Sequence, residues 1–311
     1  MADAVQLLRQ LRLALQRGDY PEAADCLRQA AELARAAGDQ AAEGRHLGNL
    51  ALLHHRLRQP AQALACLEQA LALVRAAGDR VAEDGLLGNM GNILRELGRH
   101  TEAIAYLNQA LLLAQEMGDL RGRGIWLANL GLVYDDLGQH DQAADYHAQA
   151  VNVARQLFDQ RGLAQRLGKL GDSRFAQADF GGAAAAYAEA AAVSQAIGDR
   201  QGAVERLAGL GHARLQLGVS AGSAEGASAH FRAAGDAYTQ ALALAAALDD
   251  LSAQAELLIG LGSALGSLGD YAAAAERFGA AASLFEQLGR PERLEAARQG
   301  HDLALALARG R

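Results

Sequence analysis

An internal period of 40 residues constrains this chain more than any other feature. Asp39, Asp79, Asp119, Asp159 and Asp199 stand 40 apart, and the small residues Ala51, Gly91, Gly131, Gly171 and Gly211 keep the same step. The next member, Gly262, comes 51 residues later, so the sixth unit carries an 11-residue insertion. A chain of 311 residues is too long for one ordinary core, and such a period marks stacked supersecondary units. Hydrophobic residues make up 51% but aromatics only 5%, so Ala and Leu dominate. Both favour helix, while the β-branched and aromatic residues that fill strands are scarce. The fold class is therefore all-α.

Each unit reads as two helices. The first carries Leu at i and Leu or Met at i+3, as in Leu47/Leu50, Leu87/Met90, Leu127/Leu130, Leu167/Leu170, Leu207/Leu210 and Leu258/Leu261, which forms one apolar face. The Gly that follows costs about 1 kcal/mol relative to Ala in a helix, so its recurrence implies a close helix–helix approach. Turns are expected at Gly18, Gly98, Gly138, Gly218 and Gly269, where a helix can end in a left-handed cap. The second helix repeats Ala at i and i+7, with a bulky residue usually between them: Leu27, Leu67, Leu107, Tyr187, Tyr238 and Phe278. Pro21, Pro60 and Pro291 fall where helices should start.

The stretch LGNMGNILRELGRHTEAIAYLNQALLLAQEMGD resembles the tetratricopeptide repeat, and the resemblance covers essentially the whole chain. It implies a right-handed superhelix, an α-solenoid of seven helical pairs in a single array over 1–311. The units lie near 1–38, 39–78, 79–118, 119–158, 159–198, 199–249 and 250–289, with a capping helix at 290–311. The period is longer than the common form of about 34 residues. It is similar to the long-helix subclass found in LGN/Pins spindle adaptors, kinesin light chains and many bacterial regulators. Gly-Asp stands where the usual Pro ends each unit.

The resemblance implies a concave wall lined by the first helix of each pair. Its stripe, at i, i+4, i+7 and i+11, begins with Val5, Arg9, Arg12 and Gln16, then Arg45, Asn49, Leu52 and Arg56. It continues through Asn89, Asn92, Glu96, Ile125, Asn129 and Asp136 to Lys169, Asp172, Glu205, His212 and Glu256. The candidate peptide-binding residues are Asn49, Asn89, Asn92, Asn129, Lys169, Arg45, Arg56, Arg9, Arg12 and His212. Asn49, Asn89 and Asn129 share one register. A primary amide offers donors and an acceptor that match a peptide group. Helices stacked about 10 Å apart would meet an extended peptide about every third residue. Repeat duplication alone is the competing explanation. Asn92, Asn129 and Lys169 also resemble part of a carboxylate clamp, with Gly88 and Gln165 in place of two clamp cations. The charged residues of the stripe are all Arg in the first two units and mainly acids in the later ones, so either a bound segment lies with its acidic end toward the N-terminal units, or these charges are merely solvated or paired with neighbours.

Other constellations are weaker. Arg174 and Arg214 occupy a packing register and must snorkel, pair with acids such as Asp172, or bind an anion. His54 and His55 diverge by about 100° on a helix and do not converge on a metal. His100 and His140 share the turn register of Tyr20, Phe180 and Tyr271, which implies packing. Cys26 and Cys66 are repeat equivalents about 10 Å apart, beyond disulfide reach. GLGSALGSLG mimics a dinucleotide loop, but no strand precedes it. Trp126 reads as core or as a groove aromatic. The insertion VSAGSAEGAS reads as a flexible loop, either tolerated or a flap over the groove.

The net charge of −7 excludes a generally basic nucleic-acid binder. No apolar run is long enough to span a membrane, and the amphipathic N-terminus lacks a signal-peptide core, which implies a cytoplasmic protein. Lys169 is the only lysine, a habit of GC-rich bacterial genomes. No catalytic constellation is legible, and no cofactor or metal is expected. The function expected is a non-enzymatic scaffold or adaptor that captures an extended protein or peptide segment. The alternative is a peptide-sensing regulator that works by a change of superhelical pitch.

Overall fold

A computed structural model describes residues 2–310, with side chains from Gln6 to Gly310. The side chain of Val5 and residue Arg311 of the expected capping helix lie outside the described residues. The chain divides into two compact units, Met1–Gly138 and Gln139–Arg311. The described residues form helices and turns without a strand. The first unit holds α1 (Ala2–Arg17), α2 (Tyr20–Ala36), α3 (Gln40–Arg56), α4 (Pro60–Ala76), α5 (Arg80–Glu96), α6 (His100–Met117) and α7 (Leu120–Asp136). The second holds α8 (His140–Gln156), α9 (Gln160–Ala176), α10 (Phe180–Ala196), α11 (Arg200–Val219), α12 (Ala224–Ala246), α13 (Leu251–Ser267), α14 (Tyr271–Gln287) and α15 (Pro291–Arg309).

The recurring Gly-Asp builds a compact helix–helix junction. At the end of α2, Gly38 takes φ 74°, a left-handed conformation that lacks a steric penalty only for glycine. The Asp39 N–H then reaches back to Ala34 O at 3.0 Å, closing the helix end in a Schellman arrangement. The Asp39 carboxylate accepts from Ala42 N at 2.9 Å and caps α3. Asp79 and Asp159 do the same for α5 and α9. Each cap contributes about 1 kcal/mol. One dipeptide thus ends one helix and starts the next, so the junction needs no helix-ending proline. Asp179, Asp199, Asp250 and Asp270 repeat the cap in the second unit, with Ala178 and Asp249 holding the left-handed position before Asp179 and Asp250 in place of glycine.

Packing follows the small-residue register. Within each unit, helices pack on their sequence neighbours, and the first helices of successive pairs also touch: α3 with α5, α5 with α7, α9 with α11 and α11 with α13. At four repeats the bulky residue of the second helix fills the space over the recurring Gly, as Phe278 does over Gly262. Leu107 lies over Gly91, Tyr187 over Gly171 and Tyr238 over Gly211. A Cβ on any of these last three glycines would come within 2.7 Å of that side chain, so the approach is close, as the repeated glycine implied.

Two expectations fail at the insertion. It is not a flexible loop: α11 continues to Val219 and α12 begins at Ala224, so only four residues are non-helical. The small residues of the insertion sustain helix, and Ser223 caps α12 by accepting from Gly226 N at 3.1 Å. Gly218 accordingly is not a turn. It is buried inside α11, and the Phe231 ring of α12 fills the space its Cβ would take. The other four turn glycines, Gly18, Gly98, Gly138 and Gly269, all have φ between 70° and 83°.

Candidate functional site

In the first unit, contact between α3, α5 and α7 leaves one register of their side chains facing outward. Asn49 is exposed, and Asn89, Asn92 and Asn129 are half-buried. Among the described residues, none of these four amides has an intramolecular hydrogen-bond partner, although most other wall side chains are bonded. Asn49 and Asn89 line one groove between α3 and α5, with a volume of about 330 Å³. Arg45 and Asp79 also line it, and the rest of its walls is small or apolar, from Gly48, Leu52, Val81, Gly85 and Leu86. Val81 is 75% exposed and Leu52 42%, so apolar surface lies beside unengaged amides.

The wall charges are largely engaged locally. Arg45 lies 3.5 Å from Asp79. Arg56 donates to the Tyr20 hydroxyl and stacks 5.0 Å above its ring. Arg9 and Arg12 are exposed and have no ion-pair partner among the described residues. Glu96 pairs with His55 at 2.7 Å and Asp136 with Arg95 at 2.9 Å, contacts between helices of consecutive repeats. In the second unit, Lys169 pairs with Asp172 at 2.9 Å. The stripe therefore presents less free charge than its residue types imply, because most of its cations and acids other than Arg9 and Arg12 are bonded within the chain.

Trp126 belongs to the core. It is 7% exposed, its indole N–H donates to Asp84 Oδ1 at 2.9 Å, and its ring covers Gly88. Asp84 is itself buried, and burial raises its carboxyl above the ordinary range even though the indole hydrogen bond acts the other way. Gly88 is therefore filled from outside by an aromatic ring. Sequence reasoning missed Asp84; its signal was an acid at a register where sister units place Gly44, Gly124 and Ala164.

The remaining candidates resolve into local contacts. Arg174 donates to Gly182 O at 3.3 Å and lies 3.9 Å from Asp179, so its acid neighbour is not Asp172. Arg214 approaches His230 Nδ1 at 3.5 Å. His54 bonds Gln59 at 2.7 Å and His55 bonds Glu96, in diverging directions. Cys26 and Cys66 are free thiols. No helix among the described residues is long and apolar enough to cross a membrane.

Residues 12–76 and 84–156 match the family model described as tetratricopeptide repeat. No curated protein matches the chain in sequence. Among solved structures, BtubC (BKLC) from P. vanneervenii is similar with a TM-score of 0.61 at 18% identity, covering 78% of this chain and 92% of that one. The apo form of RapI matches with a TM-score of 0.62 at 12% identity, over 93% of this chain and 99% of that one. A Rap protein complexed with Competence and Sporulation Factor matches with a TM-score of 0.51 at 16% identity, over 100% and 99%. At these identities the likeness is one of fold.

Proposed function

We propose that this chain, a tetratricopeptide-repeat protein, is a non-enzymatic cytoplasmic adaptor that grips an extended segment of another protein along the wall of α3, α5 and α7. The observation that carries this reading is the row Asn49, Asn89 and Asn129, whose amides are accessible and unengaged within the chain. Asn is a mediocre residue mid-helix, and packing does not require it at these positions. A main-chain peptide group offers one donor and one acceptor, which a primary amide satisfies together. The apolar surface of Leu52 and Val81 would receive side chains of the bound segment, while the exposed Arg9 and Arg12 favour an acidic stretch near α1. In this reading the repeats of 1–311 act as one array, closed by the helix of 290–311.

A second reading, a ligand-sensing regulator, draws on the fold likeness to the Rap protein complexed with Competence and Sporulation Factor. Under it, occupancy of the wall would alter superhelical pitch rather than tether a partner.

The test is selection of a displayed random-peptide library against the full chain, followed by affinity measurement of the recovered peptides. Replacing Asn49, Asn89 and Asn129 together by Ala should leave helicity and melting nearly unchanged. It should weaken the selected peptides by several kcal/mol, at about 1 kcal/mol or more for each hydrogen bond lost. A collapse in melting, or unaltered affinity, refutes the amide row as the grip.

A further inference from the structure

The second unit carries a recess that the asparagine row does not explain. Tyr187 of α10 and Tyr238 of α12 occupy the same register, each ring rising between two first helices. Tyr187 lies against Gly171 and Gly209, Tyr238 against Gly211 and Gly260. The Tyr187 hydroxyl donates to Asp172 Oδ1 at 2.8 Å. One period later the place of Asp172 is taken by His212, and Tyr238 loses its acceptor. Tyr238 is fully buried, and its hydroxyl has no partner among the described residues. A buried orphan hydroxyl is costly, and a well-packed chain rarely leaves one without a use.

Tyr238 lines a cavity of about 360 Å³ between α11 and α13, with Arg293 of α15 at its edge. Apolar surface comes from Val204, Leu215, Leu257 and Ile259. The polar groups are mostly acceptors. Glu205 is exposed, and its nearest cation, Arg206, is 3.8 Å away. Glu256 is held by Arg293 through both carboxylate oxygens, Oε1 accepting from Nε at 2.8 Å and Oε2 from Nη2, and keeps exposed surface where its remaining lone pairs can accept. Ser263 spends its proton on Ile259 O at 3.0 Å, leaving lone pairs. The His212 ring stands edge-on to Tyr238, with centroids 5.6 Å apart. Desolvation by the surrounding chain holds its pKa below the ordinary imidazole value, which favours the neutral ring with its acceptor nitrogen. A site rich in acceptors, negative in sum and walled by apolar groups calls for a cation with several donors on an aliphatic stem.

We propose that this recess receives an arginine side chain of a partner polypeptide, its guanidinium set between Glu205 and Glu256 and, as the His212 ring turns aside, donating to the Tyr238 hydroxyl oxygen. The proposal is independent of the asparagine row, which lies in the other unit.

The probe is acetyl-Ala-Ala-Arg-Ala-Ala-amide, with the same peptide carrying citrulline as a neutral near-isostere. Both are titrated into the isotope-labelled full chain and followed by NMR. The arginine peptide should shift resonances of α11 and α13 saturably, and the citrulline peptide should bind about tenfold more weakly, as should the arginine peptide to Glu205→Gln. Tyr238→Phe should weaken binding by about tenfold while leaving the melting temperature of the free protein unchanged or higher, because it removes a hydroxyl that has no partner. A hydroxyl with a purely structural bond would give the reverse: lower melting and unchanged binding. That result overturns the proposal, as does equal binding of the two peptides or no saturable shift up to about 10 mM. N49A/N89A/N129A should leave this response intact, so failure of the recess and failure of the asparagine row are read separately; loss of the response in that variant would place the peptide on the first unit's wall and also overturn the proposal.

Discussion

Two glycines on α5, three residues apart, should respond to the same substitution with opposite sign. Gly85 has nothing within 4 Å of the position its Cβ would take. Gly85→Ala therefore gains helix propensity alone, and should stabilise by about 1 kcal/mol. At Gly88 the added Cβ would stand 2.1 Å from Cη2 and Cζ3 of Trp126. Ordinary contact begins at 3.4 Å, so one partner must retreat by about 1.3 Å. The indole is a poor candidate, since it is 7% exposed and tied to Asp84 through its N–H. Overpacking of this kind costs about 1–3 kcal/mol, and the rigid ring puts Gly88 at or beyond the upper end. After the propensity gain, Gly88→Ala should be destabilised by about 2 kcal/mol or more, a gap of about 3 kcal/mol or more between the variants. Repeat arrays do not always unfold in one step, so a local probe is needed. Trp126 is the single tryptophan, and its fluorescence during urea unfolding reports on the first unit. In a Trp126→Ala background, followed by circular dichroism, Gly88→Ala should turn stabilising. Equal midpoints for Gly85→Ala and Gly88→Ala would refute the packing argument.

Three further outcomes follow from named contacts. Asp84 has a folded pKa raised by burial, so its contribution to stability is present below the ordinary 3.8 and is lost as pH rises through the raised value. Asp84→Asn, which can still accept from the indole, should gain on wild type as pH climbs from about 4 to 7 in pH-dependent melting; a gap that widens on acidification would contradict this. Phe158 holds φ 53° at the junction between α8 and α9 while 83% exposed, so Phe158→Gly should raise the stability of the second unit by about 1 kcal/mol in thermal melts. Removing residues 290–311 uncovers Phe285, which is 2% exposed, and the Ala281 and Ala282 surface against which Ala297 packs. Phe285 alone accounts for about 2–3 kcal/mol of lost burial, so the truncation should melt lower or aggregate in light-scattering assays, and an unchanged melt would argue against a capping role.

The sequence by itself determined what depends on short range. The pairing of helices, the prolines at helix starts and the left-handed turns at Gly18, Gly98, Gly138 and Gly269 were all legible, because a helix face, a cap and a φ value are set within a few residues. The register that turns Asn49, Asn89 and Asn129 outward was legible for the same reason. The tertiary structure decided whatever needed a second helix. Gly218 looked like its sister turns, yet the Phe231 ring holds it inside α11. The charges of the wall read as an open gradient, but His55 meets Glu96 and Arg95 meets Asp136 across 41 residues. Trp126 could have faced groove or core until Asp84, 42 residues away, took its N–H. Tyr187 and Tyr238 are equivalent in the repeat, and only the neighbouring helix separates them, by giving one an aspartate and the other a histidine. A 40-residue period fixes which positions meet, but the energy of each meeting depends on both side chains, and the repeat varies them independently.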